Sequence, residues 1–268
     1  MTLLTKFGAI AFAAASLAFA AAPAARADQL DDILKAKKIR VAVVLGTPLF
    51  SFAGPDLKPT GSDVETARML AKDMGVEVEW VEITTAARVP TIQTGKADIL
   101  VASLGITPER KKVIDFTIPY ATLDIIVAAP EGTAIKDYAD LSGKRVGLTR
   151  ATVNDQLVTA NAKGAEIVRF EDDATLIAAA VSGQVDVVST QPPLIAMMNE
   201  KRPDRPLKTK FVMRELNLGI ALPQGEPKLK AWLDEWIRKN MASGALPTMF
   251  AKFHGRELPK DLAERVVN

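Results

Sequence analysis

The 268-residue sequence contains no cysteine and a single histidine, His254. Without thiols there can be no disulfide framework, thiolate zinc site, iron–sulfur cluster or thiol nucleophile. One histidine excludes a metal centre built from several imidazoles and argues against a serine–histidine–aspartate triad, so most familiar hydrolytic chemistry is disfavoured. A dominant sign of charge is missing as well: 34 Lys and Arg stand against 32 Asp and Glu, a formal net charge of +2. Nucleic acid is therefore not expected as a partner, because neither sign supplies the electrostatic footprint it needs. No metal or other cofactor is implied.

What is present is ample apolar material, 48% of residues, with 25% charged, the balance of a soluble protein. The first 27 residues stand apart from the rest. Lys6 precedes an Ala- and Phe-rich run from Phe7 to Ala22, followed by Pro23 and the small-x-small stretch Ala25-Arg26-Ala27. That order describes a secretory signal peptide cleaved after Ala27. The apolar run falls short of the ~20 residues a spanning helix prefers. The segment carries Lys6 and Arg26 and no acid, so without it the 34 basic residues fall to 32, level with the 32 acidic ones. The expected product is an exported soluble chain, 28–268.

Strand-like and helix-like segments alternate along that chain. Ile39 to Leu45 is a continuous apolar run containing three valines, the pattern of a strand buried on both faces. Gly61-Ser62-Asp63 opens a helix whose apolar positions are Val64, Ala67, Leu70, Ala71 and Met74, closed by Gly75. Strands are expected around Val76–Trp80 and Ala97–Ala102, with a helix from about Arg88 to Thr94 between them. A second series begins after Tyr120: strands near Leu123–Ala129, Arg145–Leu148, Glu166–Phe170 and Val185–Ser189, and helices near Thr152–Ala162 and Asp173–Ser182. A helix from about Pro227 to Met241 follows the surface loop at Pro203–Pro206. Repeated β-α-β order predicts an α/β protein with largely parallel sheets in two lobes, and a ligand crevice beyond the carboxyl ends of the strands.

Three segments carry a specific likeness. They are Arg88-Val-Pro-Thr-Ile-Gln-Thr-Gly-Lys-Ala-Asp98, Ala102-Ser-Leu-Gly-Ile-Thr-Pro-Glu-Arg110 and Val113-Ile-Asp-Phe-Thr-Ile-Pro-Tyr120. Together they closely resemble the periplasmic substrate-binding proteins of ABC importers for polar amino acids. The likeness extends to Ile39-Arg-Val, Gly61-Ser-Asp-Val-Glu65, Asp140 to Gly147, Ser182-Gly-Gln-Val-Asp186 and Ser243 to Phe253, so it covers essentially the whole chain after the leader. It implies the type II periplasmic-binding-protein fold, with two lobes closing on a ligand and two hinge crossings near Ala121–Val127 and Met213–Gly219. Lobe 1 would be residues 28–122 and 217–268, and lobe 2 residues 123–216. The implied partners are a small-molecule ligand and an inner-membrane ABC permease, the implied location is the periplasm, and the implied state is a monomer.

The resemblance also assigns roles. Arg110 matches an arginine that grips the ligand's α-carboxylate. The chemistry agrees, since a guanidinium offers a planar pair of donors matched to a carboxylate. Ser103 and Gly105 match contacts to the same carboxylate, Gly105 having a plain turn as its alternative. Phe50 matches an aromatic wall over the ligand, with a core position as its alternative, and Thr47 stands where several relatives are aromatic. In the second lobe Thr152 and the Val153 amide would hold the carboxylate from the opposite side, or Thr152 would simply cap a helix. Ala151 and Val153 replace the commoner glycine and threonine there. Gln191 occupies the position of an aspartate that pairs with the ligand ammonium, five residues after Asp186. A neutral amide cannot neutralise a buried cation. Arg88 matches an arginine that approaches side-chain carboxylates, with an inter-lobe structural role as its alternative. Two cleft arginines and no evident acidic partner point toward an anionic solute. The competing function is a periplasmic cyclohexadienyl dehydratase-like enzyme, which the resemblance places on the same fold.

Overall fold

The computed structural model describes residues 28–265. The leader and its cleavage site lie outside the described residues. The chain opens with α1 (Gln29–Ala36) and β1 (Lys38–Val43), makes a small hairpin of β2 (Phe52–Ala53) and β3 (Pro59–Thr60), and enters α2 (Ser62–Met74). β4 (Glu77–Glu82), α3 (Arg88–Gln93), β5 (Ile99–Leu100), α4 (Pro108–Lys111) and β6 (Asp115–Phe116) complete the first series. The second consists of β7 (Ala121–Pro130), β8 (Arg145–Thr149), α5 (Val153–Asn161), β9 (Glu166–Phe170), α6 (Asp173–Val181), β10 (Val187–Thr190), α7 (Pro192–Lys201) and β11 (Leu207–Leu218). The chain ends in β12 (Ala221–Leu222), α8 (Pro227–Ala242) and α9 (Ala245–His254), followed by a short turn of 3-10 helix.

These strands form two five-stranded sheets, ordered β4-β1-β5-β12-β6 and β11-β7-β10-β8-β9. Each is the floor of one lobe. Both are mixed rather than largely parallel. In the first sheet β1 pairs in parallel with β4 and β5, whereas β12 is antiparallel to β5 and β6. In the second, β8 is parallel to β9 and β10, whereas β7 is antiparallel to β10 and β11. The reversed strands flank the two crossings: β7 carries the chain out of the first lobe, and β12 follows its return. A local hydrophobic pattern does not encode that return.

Burial follows the patterning. β1 sends Ile39, Val41, Ala42 and Val43 into the interior on both faces. α2 buries Val64, Ala67, Leu70, Ala71 and Met74, and its chain leaves through Gly75 at φ 73°. α8 turns Leu229, Leu233, Trp236 and Ile237 inward, so Trp236 is core. The long strands β7 and β11 connect the lobes. They run side by side from Ala121↔Leu218 to Pro130↔Leu207, with two register irregularities in β11. Leu123, Ile125 and Leu216 pack into the cluster built on β1 and α2, while Ile126, Ala128 and Leu207 pack with α6 and α7. The pair therefore passes from one core to the other near Ile125. No helix among the described residues is long and apolar enough to cross a membrane.

Candidate functional site

A cleft between the lobes encloses about 50 Å³. Its walls come from the residues just past the carboxyl ends of the strands. Thr47, Thr85 and Ser103 follow β1, β4 and β5; Thr149, Asp173 and Gln191 close or follow β8, β9 and β10. This is where open α/β sheets place their ligands. Leu123, Ile125 and Leu216 of the connecting strands form the floor.

Of the eight residues singled out in the sequence, Arg88, Ser103, Gly105, Arg110, Thr152, Val153 and Gln191 all line this cleft. Phe50 does not. It is completely buried in the first lobe, with ring centroids 4.4 Å from His254 and 6.5 Å from Phe250. Leu49 lies in the left-handed region at φ 67°, and Thr47, not Phe50, faces the cavity. Phe50 thus takes the core position that was its alternative, and the small hydroxyl residue Thr47 lines the cleft.

Arg110 sits on α4, whose start is set by Thr107 as cap and Pro108 in the first turn. Its Nη1 donates to the Gly105 carbonyl at 2.7 Å and its Nη2 to the Ala151 carbonyl at 3.2 Å. Burial and the neighbouring Arg88 charge lower its pKa to about 9. It remains a cation at neutral pH, in a place that favours the arrival of an anion. Gly105 accepts that bond and packs against Leu216, where a Cβ would press on the leucine side chain.

Arg88 donates through Nε to the Thr85 carbonyl at 3.0 Å and through Nη1 to the Ala102 carbonyl at 3.2 Å. It ties two first-lobe loops together. Behind it lies Asp63, fully buried, which accepts from the Ser103 N–H at 2.7 Å and from the Tyr120 hydroxyl at 2.7 Å. Burial raises the Asp63 pKa to about 6, opposed by those two hydrogen bonds and by Arg88. Ser103 is held at φ 43°, a strained position for a residue with a side chain, and Asp63 is what holds it.

In the second lobe, Thr152 caps α5. Its hydroxyl donates to the Thr149 carbonyl at 2.6 Å and accepts from the Asp155 N–H at 3.2 Å. That hydroxyl proton is spent, so what α5 offers the cleft is its N-terminus at Val153, where first-turn N–H groups have no helical partner. Ala151 precedes it at φ 59°, which is why glycine suits this position. Asn154 donates to Ser189 Oγ at 3.1 Å and to the Thr190 carbonyl at 3.3 Å. Gln191 lies at the head of α7 without capping it, and its Oε1 is buried with no partner. Asp186 is away from the cleft, paired with Arg202 at 3.3 Å and Arg205 at 2.8 Å.

Asp173 was missed in the sequence. Its neighbour Asp172 caps α6 by accepting from the Thr175 N–H, and Asp173 reads as an ordinary first-turn acid. In the fold it lines the cleft, accepts from Thr149 Oγ1 at 2.6 Å and faces Arg88. Burial raises its pKa, against the Thr149 hydrogen bond and the Arg88 charge. The cleft is therefore not purely cationic, and the expectation of an anionic solute loses its premise.

A family model for bacterial extracellular solute-binding proteins, family 3, matches residues 39–256. The L-cystine-binding protein TcyJ of Escherichia coli (strain K12) is 28% identical over 215 residues, 80% of this chain and 81% of that protein. The ABC transporter glutamine-binding protein GlnH of Bacillus subtilis (strain 168) is 27% identical over 261 residues, 94% of this chain and 95% of its own. Among solved structures, the ancestral amino acid-binding protein AncCDT-1, a precursor of cyclohexadienyl dehydratase, is 31% identical. It superposes with a TM-score of 0.77, covering 84% of this chain and 99% of that one. An ancestral arginine-binding protein bound to arginine is 28% identical with a TM-score of 0.77, covering 82% and 99%.

Proposed function

The chain belongs to the bacterial extracellular solute-binding proteins, family 3, and on that premise we propose that it is the capturing subunit of an ABC importer for an α-amino acid. The carrying observation is that Arg110 of the first lobe meets the head of α5 of the second inside the cleft. A solute carboxylate placed there would receive charge-assisted hydrogen bonds from the guanidinium and from helix N-terminal N–H groups at once. Each lobe holds half of that arrangement, so the solute favours the closed form over the open one. The hinge lies in β7 and β11, with lobe 1 as residues 28–122 and 217–268 and lobe 2 as 123–216. The relatives that bind cystine, glutamine and arginine favour a polar amino acid.

In this reading residues 1–27 are removed on export, and the chain works in the periplasm as a monomer that delivers its solute to an inner-membrane permease. It performs no chemistry on the solute. A thermal-shift screen of the 28–268 chain against the common L-amino acids, dicarboxylates and prephenate tests this, with each compound assayed afterwards for conversion. A solute at a hundred times its Kd stabilises by about 2.7 kcal/mol, a rise of roughly 5–10 °C at this size. A shift with an amino acid recovered unchanged is the expected outcome. Conversion of prephenate would replace this reading with the dehydratase one.

A further inference from the structure

The charges of the cleft are divided between the lobes in a way that bears on which solute fits. Arg88, Arg110 and the buried Asp63 all belong to the first lobe; among the residues lining the cavity the second contributes one carboxylate, Asp173. Arg88 is hydrogen-bonded within its own lobe. Its guanidinium is bonded to the Thr85 and Ala102 carbonyls, and the Asp63 carboxylate lies behind it. Arg110 touches only neutral carbonyls. Asp173 has one hydrogen bond, from Thr149 Oγ1 to its Oδ1, and forms no ion pair within 4 Å. Arg110 thus has no carboxylate in contact, and Asp173 has no cation in contact: it feels the Arg88 charge, but Arg88 spends its Nε and Nη1 on carbonyls of its own lobe.

From this distribution we infer that Asp173 anchors a protonated amino group of the solute, making the cleft selective for zwitterions over plain carboxylates. The inference rests on the amino-acid reading above and adds the residue that enforces it. Thr149 fixes the carboxylate through Oδ1 and leaves Oδ2 for an incoming N–H donor. The buried Oε1 of Gln191, without a partner, is a second acceptor in the same cavity. A solute carrying only negative charge would face both acceptors with nothing to donate. A protonated amine satisfies them together, and burial makes an unpartnered carboxylate gain most from it.

The test compares each amino acid with its desamino counterpart by titration calorimetry: L-glutamine with 4-carbamoylbutanoate, L-arginine with 5-guanidinopentanoate, and L-cystine with 3,3′-dithiodipropionate. Wild-type protein should bind at least one amino acid about 30-fold or more tighter than its counterpart. Asp173→Asn should weaken the amino acid by about 10-fold or more and leave the desamino acid within about 2-fold, collapsing the ratio. Thr149→Val keeps the carboxylate but releases it, and should lower the same ratio by about 3-fold; it serves if Asp173→Asn does not fold. Equal losses for both members of a pair, or no loss for either, overturn the role of Asp173. Preference of the wild type for the desamino acids overturns it too, while leaving carboxylate capture by Arg110 standing. If none of the six binds, the comparison is made with the amino acid that the thermal-shift screen identifies and its desamino counterpart; binding of no common amino acid in that screen overturns both readings.

Discussion

Arg110 crosses the cleft: its Nη2 donates to the carbonyl of Ala151, 3.2 Å away on the other lobe, while Nη1 stays on the Gly105 carbonyl at 2.7 Å. The contact joins α4 to the loop that delivers α5, the two elements that would share a solute carboxylate. In the proposed reading a solute carboxylate would displace the Ala151 carbonyl from Nη2, since a charged acceptor bonds a guanidinium more strongly than a neutral one.

Arg110→Ala should therefore weaken amino-acid binding by about 30-fold or more, the equivalent of roughly 2 kcal/mol or above. Its stability without solute should not fall much, since burial and Arg88 already disfavour the charge there. Calorimetry read beside the thermal midpoint separates the two effects. Undiminished affinity would remove Arg110 from the site.

Gln191 carries a prediction whose two readouts move in opposite directions. Its buried Oε1 lacks a partner, and an unsatisfied buried acceptor costs about 1–3 kcal/mol. Gln191→Leu, close in volume, should raise the unfolding free energy by about 1 kcal/mol while weakening amino-acid binding about 5-fold. Urea unfolding and calorimetry on one preparation check the pair. A variant both less stable and unchanged in affinity would show that the amide serves packing alone.

Much of this molecule is legible locally. The span of α2 follows from the spacing of Val64, Ala67, Leu70, Ala71 and Met74 and from Gly75 behind it. β9 falls at Glu166–Phe170, where its sequence reads as strand. What local pattern cannot carry is pairing and orientation. β7 and β11 lie antiparallel although about ninety residues apart, as part of a connection between lobes. α7 begins with two prolines and α9 follows closely on α8, so neither announces itself. The site shows the same division. Arg110, Ser103 and Gly105 sit in a distinctive motif, whereas Asp172 and Asp173 are adjacent identical residues, one of which caps a helix while the other enters the cleft. Phe50 goes to the core and Thr47 to the cleft, with Leu49 at φ 67° between them, a choice that local pattern does not make.

His254 sets a pH dependence. Its ring stacks on Phe250 at 3.9 Å, meets Phe50 edge-on, and shares a 2.9 Å hydrogen bond with Ser62 Oγ. Burial, with the Arg256 charge adding to it, lowers its pKa from 6.5 to about 4. As pH falls below 6.5 the unfolded chain takes up the proton first, so stability drops between about pH 6.5 and 4 and levels off beneath. His254→Gln keeps a hydrogen-bonding partner for Ser62 but does not titrate. The stability advantage of wild type over this variant should shrink by about 1–2 kcal/mol from pH 7 to pH 4, after allowance for screening at a partly exposed ring. Urea unfolding at several pH values measures it, and a constant difference would mean that His254 charges freely in the folded state.

Gly61 connects fold to site more directly than any cleft residue. It lies at φ 117°, and a Cβ there would collide with the Phe50 carbonyl, which itself accepts from the Asp63 N–H at 2.8 Å. The adjoining Ser62 N–H is bonded to the Leu49 carbonyl at 2.8 Å. These contacts fix the start of α2 and therefore Asp63, which holds the Ser103 N–H and orders the strained loop of the cleft. Gly61→Ala must resolve both the backbone strain and the collision with a main-chain atom that has no room to yield. It should cost about 3 kcal/mol or more in stability. Because the displaced element carries Asp63, the folded fraction of the variant should also bind amino acids more weakly, though Gly61 touches no solute. Thermal unfolding and calorimetry corrected for active fraction test both halves. Loss of stability with full affinity would show that Ser103 is positioned without Asp63.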